Sequence, residues 1–153
     1  MASALEANCA LKAALETNMP VWVSWTLHGD ARNTLPSGET VNQAFLELNG
    51  LEPDAYLINC CAANLVTPSI KALKELTDIP IGGYANAENV VFNAANSNLK
   101  LAQERHWDSA TEINEKAYLE EARLWIKEGA SIVAGCCRTK PSYIRELSSN
   151  LKA

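Results

Sequence analysis

The stretch "SIVAGCCRTKP" at 131–141 contains a complete transition from strand to helix. An apolar run that begins at Ser131 ends in two adjacent cysteines, Cys136 and Cys137, and Pro141 then stands where a helix can begin. A short apolar run followed at once by a helix is typical of a strand–helix unit in a parallel sheet. The stretch therefore predicts an α/β fold with two thiols at the carboxyl end of a strand.

The same alternation of apolar runs and helical segments recurs along the chain. Runs that favour buried parallel strands occur at 21–27, 55–61, 79–86 and 131–137. Helices are predicted at 2–17, at 40–48, from Thr67-Pro68 onward, at 115–128 and from 141 to about 150. The segment 89–114 has no clear period and is predicted as a long loop that contains at most a short helix. The predicted order is one helix followed by four βα units.

Composition and net charge limit the classes of protein to which the chain can belong. The chain has 153 residues, of which 48% are hydrophobic and 20% charged, which is enough to form the core of one domain. A net charge of -5 argues against nucleic acid or an anionic membrane as a partner. No apolar stretch approaches the roughly 20 residues of a membrane span, and the N-terminus lacks the pattern of a signal peptide. We therefore expect a cytoplasmic protein that acts on a small molecule or another protein.

The cysteines are placed at predicted strand ends. Cys60 closes the second predicted strand, and Cys136 and Cys137 close the fourth. Because the carboxyl ends of parallel strands meet at one edge of a sheet, these three thiols can converge and bind a metal ion such as Zn²⁺. Adjacent side chains in a strand point to opposite faces, so Cys136 and Cys137 can share one ion only if the strand ends there. The residues leave open the alternative that all three are buried free thiols.

Other aromatic and sulfur side chains are interpreted as packing residues. Cys9 falls in the leading helix and Cys61 follows Cys60 directly, and neither has a chemical partner in the sequence. The remaining side chains predicted to pack in the core or between layers are Trp22, Trp25 and Trp125.

Two blocks of the sequence resemble the homocysteine S-methyltransferase family. "LINC" at 57–60 and "AGCCRTKPSYI" at 134–144 are similar to the zinc-ligand blocks of that family, in which one strand ends in Asn-Cys and the last strand in Gly-Cys-Cys. "VWVSWTL" at 21–27 resembles a family strand that ends near a Ser, and "YANAEN" at 84–89 resembles its Tyr-Pro-Asn-x-Gly-Glu block. Trp107 falls where the family often has a Trp, so the resemblance covers essentially the whole chain.

The resemblance implies a cofactor, a reaction and a set of site residues. The cofactor is Zn²⁺, held by the thiolates of Cys60, Cys136 and Cys137, with the sulfur of homocysteine in the fourth position. The reaction is methyl transfer to homocysteine, giving methionine, from a donor of the S-methylmethionine, S-adenosylmethionine or betaine type. Three residues are implied to bind substrate: Ser24, Asn59 and Asn86.

The family fold is a (β/α)8 TIM barrel of typically about 250 residues. We expect residues 1–153 to form a single partial homocysteine-binding domain, the C-terminal half of such a barrel, since the blocks of the first four strands are missing. A half barrel leaves sheet edges and apolar faces open, so we expect a homo-oligomer or a complementing N-terminal half barrel. The alternative function is a catalytically inactive half barrel that binds zinc or associates with another chain.

The sequence departs from the family pattern beside the proposed site. Arg138 replaces a small residue, usually Gly, and either pairs with a substrate carboxylate or points to solvent, of which we favour the second. Ala85 replaces a Pro, and Asn89 lies near the position of the family's Glu. None of these changes removes a proposed ligand.

Overall fold

A computed structural model of the chain describes residues 1–28, 33–90 and 110–151. Its five helices within these ranges are α1 (Ala4–Leu15), α2 (Val41–Leu46), α3 (Val66–Lys74), α4 (Glu115–Lys127) and α5 (Pro141–Asn150). The strands there are β1 (Trp22–Thr26), β2 (Ala55–Ala62), β3 (Ile81–Asn86), β4 (Glu88–Val90), β5 (Ala110–Glu112) and β6 (Ile132–Gly135). None of the helices in the described part of the chain has the length and apolar character needed to span a bilayer.

Four of the strands form one parallel sheet in the order β1-β2-β3-β6. The sheet and the helices between its strands confirm the predicted α/β half barrel of four βα units preceded by one helix. Three strands of this sheet lie within their predicted runs, and β2 extends one residue beyond its run, to Ala62, because near-continuous apolar sequence marks parallel strands well. The sheet ends at β1 on one side and at β6 on the other.

Two local predictions were wrong. The segment 89–114 was predicted as a loop, but its ends contribute to β4 and β5, which pair antiparallel with Glu88 opposite Glu112; strands of three residues are too short to show a period. Helix α3 begins at Val66 after a 3₁₀ turn, with Leu65 as N-cap, and not at Thr67. Pro68 fits because the first turn of a helix has no internal partner for its N–H groups.

Side-chain caps fix the starts of three helices. The Ser3 hydroxyl accepts a hydrogen bond from the backbone of Glu6 at the start of α1. Thr40 and Gln43 form a reciprocal capping box at α2, and the Asn114 side chain caps α4. Such caps stabilise a helix by about 0.5–2 kcal/mol each, so the local sequence sets where these helices begin.

The helices cover one face of the parallel sheet. Trp25 of β1 is fully buried and stacks on Tyr56 of β2, with ring centroids 5.8 Å apart. Trp125 of α4 is also fully buried, as predicted. Trp22 was predicted to pack in the core, but its side chain is 58% exposed. Its parity in β1 differs from that of the buried Val23 and Trp25, which places it on the opposite face of the sheet, away from the helices.

Tyr118 of α4 ties two strand ends together. Its buried hydroxyl lies 2.8 Å from the Ala134 carbonyl and 3.0 Å from the Ala85 carbonyl, and it accepts a hydrogen bond from the Ala85 N–H at 3.1 Å. Burial raises the pKa of this hydroxyl, which therefore stays protonated and able to donate. The contact links α4 to β3 and β6 next to the cysteine pair.

We expect Tyr118→Phe to lower the free energy of unfolding by about 1–3 kcal/mol, because it removes a buried hydroxyl that bonds to the Ala85 N–H and to the Ala134 carbonyl. Urea unfolding followed by circular dichroism measures this change. Tyr56→Phe is the matched control, since the Tyr56 hydroxyl makes one long contact of 3.4 Å to the Leu51 carbonyl. Equal losses in the two variants would contradict the role given to the Tyr118 hydroxyl.

Candidate metal centre

Three thiols that are distant in sequence meet at the carboxyl edge of the sheet. The Sγ atoms of Cys60 and Cys137 are 3.8 Å apart, and those of Cys136 and Cys137 are 4.0 Å apart. All three Sγ atoms lie within 4.8 Å of one another. Among the described residues this is the group of His, Cys, Asp and Glu side chains with the spacing of a metal site.

The spacing of the thiols fits a tetrahedral metal ion. Zinc–thiolate bonds of about 2.3 Å at tetrahedral angles place neighbouring sulfurs about 3.8 Å apart. Two of the three separations, 3.8 and 4.0 Å, are close to this value, and the third lies within 4.8 Å. An all-sulfur donor set suits Zn²⁺ and other thiophilic metals, and three protein ligands leave one tetrahedral position for a substrate atom.

A break in the regular geometry of β2 orients Cys60. The register of β2 against β3 shifts between Asn59 and Ala62, and Cys60 has a φ of 51°, in the left-handed region. The Thr26 hydroxyl lies 3.2 Å from the Cys60 carbonyl and supports this conformation. The bulge separates two adjacent thiols: Cys60 is partly exposed at the cluster, whereas Cys61 is buried in the core, as predicted.

The other two thiols follow the end of β6. The strand ends at Gly135, so Cys136 and Cys137 lie in a turn, and the condition for sharing one ion is met. The Thr139 hydroxyl donates to the Cys136 carbonyl at 2.6 Å and closes this turn. A Cβ at Gly135 would lie 2.5 Å from the Thr139 Oγ1, which explains why this position has no side chain.

Backbone bonds fasten this turn to the end of β3. The Cys136 N–H donates to the Ala85 carbonyl at 2.8 Å, and the Ala87 N–H donates to the Cys137 carbonyl at 3.0 Å. The side chain of Asn86 adds a third bond, in which its Oδ1 accepts from the Cys137 N–H at 3.2 Å. The position of the cysteine pair therefore depends on residues 85–87.

The surroundings of Cys60 disfavour its thiolate form when no cation is bound. Burial, and then contact with the Cys137 and Cys136 thiols, raises the pKa of Cys60 to about 12. A bound cation reverses this preference, because it stabilises the thiolate form. Metal binding at this cluster is accordingly coupled to the release of protons.

The three residues predicted to bind substrate lie near the cluster but bond mainly to protein groups. The Ser24 hydroxyl donates to the Asn59 Oδ1 at 2.8 Å, on the face of the sheet that the helices do not cover. Asn86 contacts Cys137, as described above, and its Nδ2 donates to Glu88 at 2.9 Å. The structure thus brings Ser24 and Asn59 together and places Asn86 against the cysteine turn.

Sequence reasoning missed Glu88, whose carboxylate is buried beside the cluster. Arg138 was expected to point to solvent, but its Nη1 lies 2.8 Å from the Glu88 Oε2, and about half of its side chain is exposed. Glu88 is only 3% exposed, and no local signal marks a contact across 50 residues of sequence. The prediction that Cys9 packs in the core was also wrong, since it is exposed. Trp107 lies outside the described residues.

Comparison with known proteins matches this chain to several methyltransferases. The sequence pattern of the family described as Homocysteine S-methyltransferase matches residues 1–151. Homocysteine S-methyltransferase 1 of Zea mays is 29% identical over 138 residues, which cover 90% of this chain and 39% of that protein. Homocysteine S-methyltransferase 1 of Brassica oleracea var. italica is 28% identical over 151 residues, which cover 97% of this chain and 43% of that protein. Selenocysteine methyltransferase of Astragalus bisulcatus is 26% identical over 144 residues.

A solved structure shows the same fold. The metallated form of the homocysteine methyltransferase MmuM from Escherichia coli superposes with a TM-score of 0.71 at 21% identity. The match covers 99% of this chain and 43% of that chain. The chain therefore spans well under half the length of the relatives it matches, and its parallel sheet corresponds to part of a TIM barrel.

Proposed function

Because the chain belongs to the homocysteine S-methyltransferase family, we propose that it is the zinc-bearing half of an enzyme that methylates the thiol of homocysteine to give methionine. The observation that carries the proposal is the convergence of Cys60, Cys136 and Cys137 at sulfur separations suited to one zinc ion. Three protein ligands leave one position for the sulfur of a substrate, as in catalytic rather than structural zinc sites.

Each ligand has a defined part in the proposed site. The bulge at Cys60 and the turn at Cys136 and Cys137 bring the three thiols together, with Cys60 and Cys136 half-buried and Cys137 exposed. When bound there, Zn²⁺ lowers the pKa of a coordinated thiol, so that homocysteine is a thiolate nucleophile at neutral pH. Three anionic ligands keep that sulfur electron-rich, which favours attack on the methyl group of a sulfonium or quaternary ammonium donor.

Ser24, Asn59 and Asn86 are proposed to bind or orient the substrate around this centre. Ser24 and Asn59 are joined by a hydrogen bond of 2.8 Å on the uncovered face of the sheet, where the interior of a closed barrel would be. The second lone pair of the Asn59 Oδ1 and its amide N–H groups remain for a ligand. The proposed donors, of the S-methylmethionine, S-adenosylmethionine or betaine type, share a positively charged methyl-bearing centre.

A complementing N-terminal half barrel is the proposed partner, with self-association as the alternative. Strands β1 and β6 are both edges of the parallel sheet, and parallel sheets are normally covered or closed on all sides. Beside β6 an apolar groove adds to the uncovered surface. It is lined by Ile126, Val133, Ala134, Ile144, Leu147 and Leu151, among others. The zinc half alone lacks the remaining wall of a homocysteine pocket.

An assay of methionine formation tests the proposal. We expect no methionine from the zinc-loaded chain alone, and methionine from homocysteine and one of the three donor types when the N-terminal half of a related full-length enzyme is added. The control is the same mixture with a Cys136→Ser chain, which should give no product. A zinc-bound complex of the two halves that makes no methionine with any donor would overturn the catalytic role. That result would favour the alternative, an inactive half barrel that binds zinc or associates with another chain.

A further inference from the structure

We propose that Glu88 and Arg138 are a positioning pair that holds Cys137 where it can bind a metal ion. The inference rests on the proposed zinc site and adds two residues to it. Neither residue is proposed to bind the metal ion or the substrate. Both act through Asn86 and the cysteine turn. A continuous chain of hydrogen bonds runs from the Arg138 guanidinium through Glu88 and Asn86 to the Cys137 N–H.

Glu88 determines which way the Asn86 amide faces. The Nδ2 of Asn86 donates to the Glu88 Oε1 at 2.9 Å, while its Oδ1 accepts from the Cys137 N–H at 3.2 Å. Rotating the amide by half a turn would place two acceptors together at Glu88 and two donors together at Cys137. A carboxylate is an acceptor at both oxygens, so Glu88 allows only the orientation that supports Cys137.

The positive charge of Arg138 compensates the cost of burying the Glu88 carboxylate. Glu88 is 3% exposed, and an unpaired carboxylate with so little access to water is strongly unfavourable. The Arg138 Nη1 donates to the second carboxylate oxygen, Oε2, at 2.8 Å and supplies the opposite charge. Each Glu88 oxygen therefore has its own partner, one from β3 and one from the cysteine turn.

The backbone conformation of Arg138 favours glycine, so the presence of an arginine side chain at this position indicates a role for that side chain. Its φ is 65°, in the left-handed region, where glycine is more stable than a residue with a Cβ. The resembled family usually has Gly at this position, and its pattern for the block 84–89 also places Gly at the position of Glu88. In this chain the two positions carry oppositely charged side chains that are in contact.

The test compares metal binding by Glu88→Gln, Arg138→Gly and Arg138→Lys with the unaltered chain. The probes are Zn²⁺, in competition with a chelating dye, and Co²⁺, whose thiolate charge-transfer absorption reports how many sulfurs bind the ion. We expect Glu88→Gln and Arg138→Gly to weaken Zn²⁺ binding roughly 10- to 100-fold, the range found when groups that orient metal ligands are removed, and to reduce the Co²⁺–thiolate band. Arg138→Lys keeps the charge and should restore most of the affinity.

Arg138→Gly separates this role from a purely conformational one. Glycine relieves the left-handed strain, so a residue needed only for the turn would lose nothing on this change. The matched control is Glu120→Gln, which removes a carboxylate from an exposed Glu–Arg pair of 2.6 Å on α4 and should leave metal affinity unchanged. If Glu88→Gln does not fold, the two Arg138 variants still decide.

The outcomes distinguish this inference from the proposed function. Wild-type affinity and an unchanged Co²⁺ spectrum in Arg138→Gly would overturn the positioning role while leaving the zinc site intact. Failure of the unaltered chain to bind either metal would overturn the proposed zinc function itself. Weakened binding in Glu88→Gln and Arg138→Gly, with recovery in Arg138→Lys, supports the pair.

Discussion

Replacing Cys136 with serine is expected to reduce the zinc content of the purified protein from about one ion per chain to a small fraction of that value. A serine hydroxyl is not ionised at neutral pH and is a poor ligand for zinc, so only two thiolates remain. Zinc sites with four protein ligands bind with about 10–16 kcal/mol, so one ligand corresponds to about 3 kcal/mol, or roughly a hundredfold in affinity. Elemental analysis after gel filtration measures the change.

The control for this experiment is Cys9→Ser. Cys9 is an exposed thiol on α1 and undergoes the same chemical change, but it lies outside the cluster. Zinc content should be unchanged in this variant. Equal zinc content in the Cys136→Ser protein and the unaltered chain would show that the three thiols are not the ligands.

Replacing Gly82 with alanine is expected to have the largest effect on stability. A Cβ at this position would lie 2.2 Å from the Ile132 carbonyl oxygen and 2.6 Å from the Ile132 Cβ, closer than any normal contact. Gly82 pairs with Ile132 in the register of β3 and β6, so the methyl group can be accommodated only if β6 moves away. We expect a loss of about 3 kcal/mol or more and a melting temperature lower by about 10 °C.

Gly50→Ala provides the comparison for this prediction. Gly50 has a φ of 79° and no atom within 4 Å of the Cβ position, so alanine there adds only left-handed strain of about 1–2 kcal/mol. Thermal unfolding followed by circular dichroism compares the two variants. Zinc content should also fall in Gly82→Ala, because β6 leads directly into Cys136 and Cys137. A wild-type melting temperature for Gly82→Ala would contradict the close contact of β3 with β6.

Much of the fold could be predicted because its signals are local. Apolar runs located the four strands of the sheet, and Pro141 marked the start of α5. The pairing of β4 with β5 could not be predicted, since each strand has three residues and the partners are far apart in sequence. Trp22 shows the limit of residue type as a guide: the parity of its position in β1, not its hydrophobicity, decides that it is exposed.

The site could be predicted in outline but not in its supporting contacts. Parallel topology alone implies that Cys60 and the Cys136–Cys137 pair lie at one edge, and the structure places them together. The bulge that orients Cys60 depends on one left-handed residue that is not a glycine, and such a conformation has no signature in the sequence. The Glu88–Arg138 pair depends on tertiary contact across 50 residues, so it too became visible only in the folded chain.

Because of the strand order, a metal ion bound at the cysteine cluster would also connect strands of the sheet. Cys60 belongs to β2 and the other two thiols follow β6, with β3 between these strands, so an ion held by all three thiols would bridge across β3. The ion would link β6, at one end of the sheet, to β2 in its interior. Losing the ion would loosen β6, an edge strand of the sheet with a side on which another chain could pair. Zinc supply would then govern how readily this half barrel aggregates.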